Sequence, residues 1–251
     1  MTTYLTTPQG RHIAYLRTPG KEPGVVFLGG FRSDMTGTKA IHLQTWAEAQ
    51  GRAFLRFDYS GHGRSHGQFA DGAISDWAED ARAVIDTLTE GPQILVGSSM
   101  GGWIALLLAR QIPEKLAGLV GIAAAPDFTE IMWAEATPAQ RTQLLNDGAI
   151  ANPSAYSDDP YVITRRLIED GRQNLVLQTP LHLPFPTRLL QGSADVDVAP
   201  HRALALFDHA RGPDIRLTLV KDADHRFSTA PCLAMITAAV EDILKGSPDA
   251  G

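Results

Sequence analysis

Ser99 stands in the run Ile94-Leu95-Val96-Gly97-Ser98-Ser99-Met100-Gly101-Gly102-Trp103, a G-x-S-x-G pattern between an apolar strand-like stretch and an apolar helix-like one. A serine on such a sharp turn needs small residues two positions to either side. Gly97 and Gly101 provide them for Ser99, whereas Ser98 has Val96 and Met100 there. Ser99 is therefore the candidate nucleophile. A hydroxyl is weak at neutral pH and needs a base beside it, which an acid in turn orients. Of the eight histidines, His225 is the one expected to serve, because it follows the final strand-like run. The acid is expected in the segment Gln191–Pro200, which offers Asp195 and, as the alternative, Asp197. Asp195 is preferred, and Asp197 has a plainer possible role as a cap for a helix starting near Pro200. Acyl transfer also needs donors for a developing oxyanion. The backbone N–H groups of Phe31, after Gly29-Gly30, and of Met100, at a helix start, are the candidates.

These residues need a scaffold that brings distant stretches together. Short apolar runs end in turn residues at Val25–Leu28, Ala53–Phe57, Ile94–Val96, Leu119–Ala125, Arg188–Leu190 and Ile215–Val220. Such runs read as buried strands. Tyr4–Thr6 and His12–Arg17 read as a leading hairpin turned by Pro8-Gln9-Gly10. Helical patterns span Thr38–Gln50, Ser75–Thr89, Met100–Arg110 and Pro231–Lys245. In the second of these, Trp77, Ala81, Val84, Ile85 and Leu88 share one face. The alternation predicts an α/β fold with a mostly parallel sheet of about eight strands, flanked by helices. Ligands in such sheets gather beyond the carboxyl ends of the strands, where each candidate falls. Residues 126–186 are too many for a simple crossover. They carry a capping-box pattern at Thr137-Pro138-Ala139-Gln140 and a second helix expected from Asp159-Pro160 to Gly171. The expected organisation is a core of residues 1–125 and 187–251, with 126–186 inserted as a small helical cap.

Composition narrows the functional classes. Apolar residues make up 44% and charged residues 20%, which is globular composition. The net charge of −6 gives no basic footprint for nucleic acid. The single cysteine, Cys232, excludes an intrachain disulfide and a thiolate metal cluster. No apolar run approaches the ~20 residues that span a bilayer. The first twenty residues show neither a signal-peptide run nor an Arg-rich presequence, so a cytoplasmic address is expected. His62 and His66 are four apart, but no carboxylate pattern completes a metal site. Neither metal nor cofactor is expected.

With these residues in order, the chain resembles the α/β-hydrolase superfamily over nearly its full length. Asp58-Tyr59-Ser60-Gly61-His62-Gly63-Arg64-Ser65 is similar to the loop after the fourth strand of that superfamily. Gly30-Phe31-Arg32-Ser33-Asp34-Met35-Thr36-Gly37-Thr38-Lys39-Ala40 and Gly97–Trp103 resemble the palmitoyl-protein thioesterase branch, also described as the mycophenolic acid acyl-glucuronide esterase. The resemblance implies hydrolysis of a carboxylic ester or thioester through Ser99, Asp195 and His225. The partner would be a small acyl ester or thioester, or an acylated protein. Arg32, next to the Phe31 donor, is a candidate for a substrate carboxylate such as a glucuronate. Phe128, Ile131, Met132 and Trp133 are candidates for an apolar wall around an acyl chain. The same residues would also serve a carbon–carbon bond hydrolase or a cofactor-free perhydrolase, and the fold can host a small-molecule receptor with vestigial catalysis.

Overall fold

The computed structural model describes residues 2–152 and 161–246. The strands are β1 (Thr3–Thr6), β2 (His12–Thr18), β3 (Lys21–Leu28), β4 (Arg52–Phe57), β5 (Gln93–Ser98), β6 (Leu116–Ile122), β7 (Ala149–Asn152), β8 (Tyr161–Thr164), β9 (Thr187–Gly192) and β10 (Ile215–Val220). Eight of them form one sheet in the order β1-β2-β4-β3-β5-β6-β9-β10. β2 runs antiparallel to both its neighbours and the pairs from β4 to β10 are parallel, as the alternating pattern predicts. The leading hairpin closes with Thr6 opposite His12. Gly10 takes φ +80° in its turn, a region that favours glycine.

Both faces of the sheet are covered, because neighbouring strand residues point to opposite sides. Val26, Leu28, Leu55, Phe57, Leu95, Leu119 and Leu189 face one apolar cluster. Val25, Phe27, Phe54, Ile94, Val96, Val120, Ile122 and Leu190 face the other. Helices α1 (Thr38–Ala49) and α8 (Ala230–Gly246) pack on the second face through Ala40, Leu43, Ala47, Cys232, Ile236, Val240 and Ile243. Helices α2 (Ile74–Leu88) and α3 (Met100–Gln111) pack on the first. In α2, Trp77, Ala81, Val84 and Ile85 are buried as their spacing predicts. Each large apolar side chain so buried contributes about 1.5–3 kcal/mol relative to exposure.

Two expectations shift. β6 ends at Ile122 rather than Ala125, because Ala123 takes φ +44° and turns the chain out of the sheet while its N–H still reaches Leu190 O. Between β6 and β9 the chain is not purely helical. It holds α4 (Phe128–Glu135), α5 (Pro138–Asp147) and α6 (Arg165–Gln173), and also the antiparallel pair β7–β8. That pair sets Ile150 opposite Ile163, and both are buried with Leu144 and Ile168 in a small separate cluster. The capping box of α5 forms as its sequence predicts: Gln140 N–H donates to Thr137 Oγ1 at 3.2 Å and Thr137 N–H to Gln140 Oε1 at 2.9 Å. The expected helix start at Asp159-Pro160 lies outside the described residues.

This segment is tied down at several points. Asp127 accepts the N–H groups of Val176 and Leu177 at 2.9 and 3.0 Å, which closes its two ends on each other. Trp103 of α3 donates to Asn174 O at 3.1 Å. Arg166 of α6 pairs with Asp76 of α2 at 2.6 Å. Among the described residues no helix is long and apolar enough to cross a membrane.

Candidate active site

Ser99 sits between the last residue of β5 and the first of α3, with φ +54° and ψ −118°. This region is costly for a non-glycine residue, on the order of 1–3 kcal/mol, and persists only where the surroundings enforce it. Here they do. Ser99 N–H donates to Ile122 O at 2.9 Å, and its carbonyl accepts from Gly102 and Ala125. The flanking glycines are required on steric grounds. A Cβ on Gly97 would lie 2.3 Å from Gly101 O, and one on Gly101 would lie 2.1 Å from Leu28 O. Gly30 approaches the turn from the other side, and a Cβ there would lie 3.4 Å from the Ser99 Cβ.

Asp195 follows β9 and is buried, with a fully covered side chain. Its Oδ2 lies 3.0 Å from His225 Nδ1 and accepts from Gln191 Nε2 at 2.9 Å. Its Oδ1 accepts the backbone N–H groups of Asp197 and Val198 at 3.0 and 2.8 Å. Burial pushes this carboxyl up, but His225, the Val198 N–H and Gln191 outweigh it and hold it below its ordinary value. Asp197 is exposed and contributes its backbone to Asp195. It is not the cap of α7 (Pro200–His209), whose N-cap is Ala199. Asp195, Asp197 and His225 do bring three ligand-type atoms within 4.8 Å of one another. Four donors already occupy the Asp195 carboxylate, which has about four acceptor positions, so it has little left for a cation.

A cavity of about 780 Å³ joins these groups, and Ser99, Met100, Phe31, Arg32 and His225 all line it. It opens beyond the carboxyl ends of β3, β5, β6, β9 and β10, where the sheet order predicts a site. Residues between β6 and β9 complete its wall. Phe128, Ile131, Met132 and Glu135 share one face of α4, and Tyr161 and Ile163 come from β8. Trp133 is displaced from its expected place. One residue on from Met132 it leaves that helical face, is absent from the cavity wall, and packs beneath Arg141 and Arg172, whose guanidinium carbons lie 5.5 and 4.8 Å from its ring.

Phe31 is held by rings of Phe69, Phe128, Trp77 and Tyr161, with centroids 4.8 to 6.1 Å away. Arg32 stands at the exposed rim with φ +56°, its guanidinium 5.3 Å from the Tyr161 ring and 5.6 Å from Phe69. Met100 is the first residue of α3, so its N–H has no acceptor within the helix. His62 is buried rather than exposed to the cavity. Its ring packs edge-on against Tyr59, Phe69 and Trp77, and burial lowers it to about 4. His66 instead packs against His12, with ring centroids 5.0 Å apart, so the two histidines do not form a joint site.

Sequence reasoning missed two contributors. Asp58, at the end of β4, accepts the N–H groups of Met35 and Arg64 at 2.6 and 2.8 Å, and so ties the Phe31 loop to the sheet. Its position just beyond a strand end was the available signal. Tyr161 enters the site from β8, which had no periodic signature.

A hydroxyl on a strained strand-to-helix turn, sharing a cavity with an imidazole held by a buried carboxylate, has the parts that nucleophilic acyl transfer requires. Comparisons with known proteins agree on the class. Residues 23–229 match the family model described as serine aminopeptidase, S33. The mitochondrial palmitoyl-protein thioesterase ABHD10 of Rattus norvegicus is 35% identical over 243 residues, covering 96% of this chain and 82% of the relative. Among solved structures, a protein of Agrobacterium vitis S4 superposes with TM-score 0.93 at 41% identity, covering 97% of this chain and 98% of that one. The alpha/beta hydrolase domain-containing protein 10 from mouse superposes with TM-score 0.90 at 32% identity, covering 98% of each chain. The bovine and human relatives, like the rat protein, are named as mitochondrial. This corrects the cytoplasmic address expected from the sequence, since the relatives point to mitochondria instead. The chain is a hydrolase and belongs to the serine aminopeptidase S33 family of α/β hydrolases, alongside the ABHD10 thioesterases.

Proposed function

We propose that the protein hydrolyses long-chain acyl thioesters or esters through Ser99, His225 and Asp195. His225 takes the Ser99 proton as the hydroxyl attacks the carbonyl carbon, while Asp195 fixes the imidazole tautomer with Nδ1 protonated. The N–H groups of Phe31 and Met100 stabilise the oxyanion. His225 then protonates the leaving thiol or alcohol and activates the water that releases the acyl group. The observation that carries this reading is the 3.0 Å His225–Asp195 contact on the cavity that Ser99 also lines. Residues 126–186 act as the cap, and Phe31, Phe128, Ile131, Met132 and Ile163 surround the acyl chain. The rat relative is named as a palmitoyl-protein thioesterase, which supports a long acyl group.

A series of thioesters from acetyl to palmitoyl tests this. Each buried CH₂ is worth about 0.8 kcal/mol, so kcat/KM is expected to rise roughly fourfold per methylene until the cavity is filled. A flat or falling series contradicts the acyl-chain site. In the same assay Arg32→Ala is expected to slow hydrolysis of an acyl glucuronide by about tenfold, the scale of a lost charged hydrogen bond, and to spare a neutral ester. An equal change on both substrates removes Arg32 from substrate recognition.

A further inference from the structure

Lys39 lies in the Thr36–Ala40 run and lines the cavity, yet acyl transfer as described gives it no task. Its Nζ donates to the carbonyl of Arg226 at 2.5 Å, a contact between residues 187 positions apart. Arg226 directly follows His225. On the far side of that loop, Phe227 takes φ +48°, and its N–H donates to Asp224 Oδ1 at 3.1 Å. The Phe227 ring is fully buried in the same cluster as Ala40 and Leu43 of α1. Helix α1 therefore holds the His225 loop from below through Phe227 and from the cavity side through Lys39. Among the described residues, the side chain of His225 itself is tied to Asp195.

We propose that Lys39 is a positioning residue for the hydrolysis: by gripping the Arg226 carbonyl it sets the His225 imidazole against Ser99. The inference rests on the reading of His225 as the base. A hydrogen bond from an ammonium is about twice as strong as a neutral one. Misplacing a catalytic group by about 1 Å can cost on the order of 10²-fold in rate. Burial lowers Lys39 to about 8, with Asp224 opposing the fall and Arg226 adding to it. Arg32, Glu135, Tyr161, Asp197, His225 and Arg226 are the titratable or charged groups that share the cavity wall with Lys39. As pH rises through about 8 the ammonium loses its proton, its grip weakens, and kcat falls.

The test measures kcat and KM on a neutral p-nitrophenyl ester across the alkaline range, together with the rate of fluorophosphonate labelling. Wild type is compared with Lys39→Met, Lys39→Arg and Ser99→Ala. Lys39→Met is expected to lose about tenfold in both kcat and labelling rate, with KM within about twofold and without the alkaline fall near pH 8. Lys39→Arg is expected to keep most activity at neutral pH and to move the fall beyond pH ~9, because a guanidinium stays protonated. Wild-type kcat and pH profile in Lys39→Met, or a change in KM alone, overturns the proposal. So does an alkaline fall in Lys39→Arg at the wild-type position, which decides the matter even if Lys39→Met does not fold. An active Ser99→Ala would overturn the acyl-transfer reading and this inference with it. A dead Ser99→Ala beside an unaffected Lys39→Met would remove only the role of Lys39.

Discussion

Ser99→Ala is expected to lower turnover of p-nitrophenyl esters and acyl thioesters by about 10⁴-fold or more, with the fold intact. The magnitude follows from the way nucleophile, base and acid act as a unit, so that losing one forfeits nearly the whole covalent route. Two features isolate Ser99 from its neighbour. Its φ of +54° stands the residue at the apex of the turn, whereas Ser98 is the last residue of β5 and is buried. Gly97 and Gly101 are packed so closely against backbone that a larger residue at either would displace the apex. Ser98→Ala is therefore the control, expected to retain activity within a few-fold. Steady-state kinetics on both variants, with circular dichroism to verify folding, decide the point. A Ser99→Ala enzyme that works at the wild-type rate would contradict the assignment.

The second large effect is at Asp195. Asp195→Asn is expected to cut kcat by about 10³–10⁴-fold while KM changes little. The carboxylate accepts from His225, Gln191 and two backbone N–H groups. An amide of the same shape must turn its NH₂ toward at least one of those donors or toward the imidazole. Facing His225, it stabilises the tautomer with Nε2 protonated, which cannot take the serine proton. The pH dependence has a definite sign. Because the folded carboxyl lies below its ordinary value of about 3.9, its contribution to stability is fully present above that value. That contribution is lost as pH falls through the lowered folded value, and Asp195→Asn should lose it at all pH. Activity measured at neutral pH and unfolding followed down to about pH 3 check both parts. Retained kcat in Asp195→Asn, alongside loss in Asp197→Asn, would transfer the role to Asp197.

The choice between those two aspartates illustrates what the sequence could and could not carry. Both lie just beyond β9 and both are followed by a helix start, so spacing alone leaves them open. Burial separates them, with Asp195 enclosed by four donors and Asp197 exposed. The strand and helix order was legible because a parallel sheet buried on both faces writes itself as short apolar runs. The glycines around Ser99 were legible because close backbone approach leaves only one residue type possible. β7 and β8 were not legible, since four-residue strands whose partners come from β8 and β7 alone have too little periodicity to stand out. Trp133 read as cavity wall by composition, but one step along α4 carries it to another face. The Lys39–Arg226 contact joins the first and last parts of the chain, and no local pattern announces it. The cytoplasmic address rested on the look of the first twenty residues, and the named relatives overturn it.

The most direct measurement is mass spectrometry of the adduct trapped by a fluorophosphonate or a slow acyl substrate. A single modification on the peptide carrying Ser99, formed rapidly in wild type and at least ~10²-fold more slowly in His225→Ala, is the predicted result. Efficient turnover without any adduct on Ser99, or an adduct whose formation ignores His225, would contradict the account.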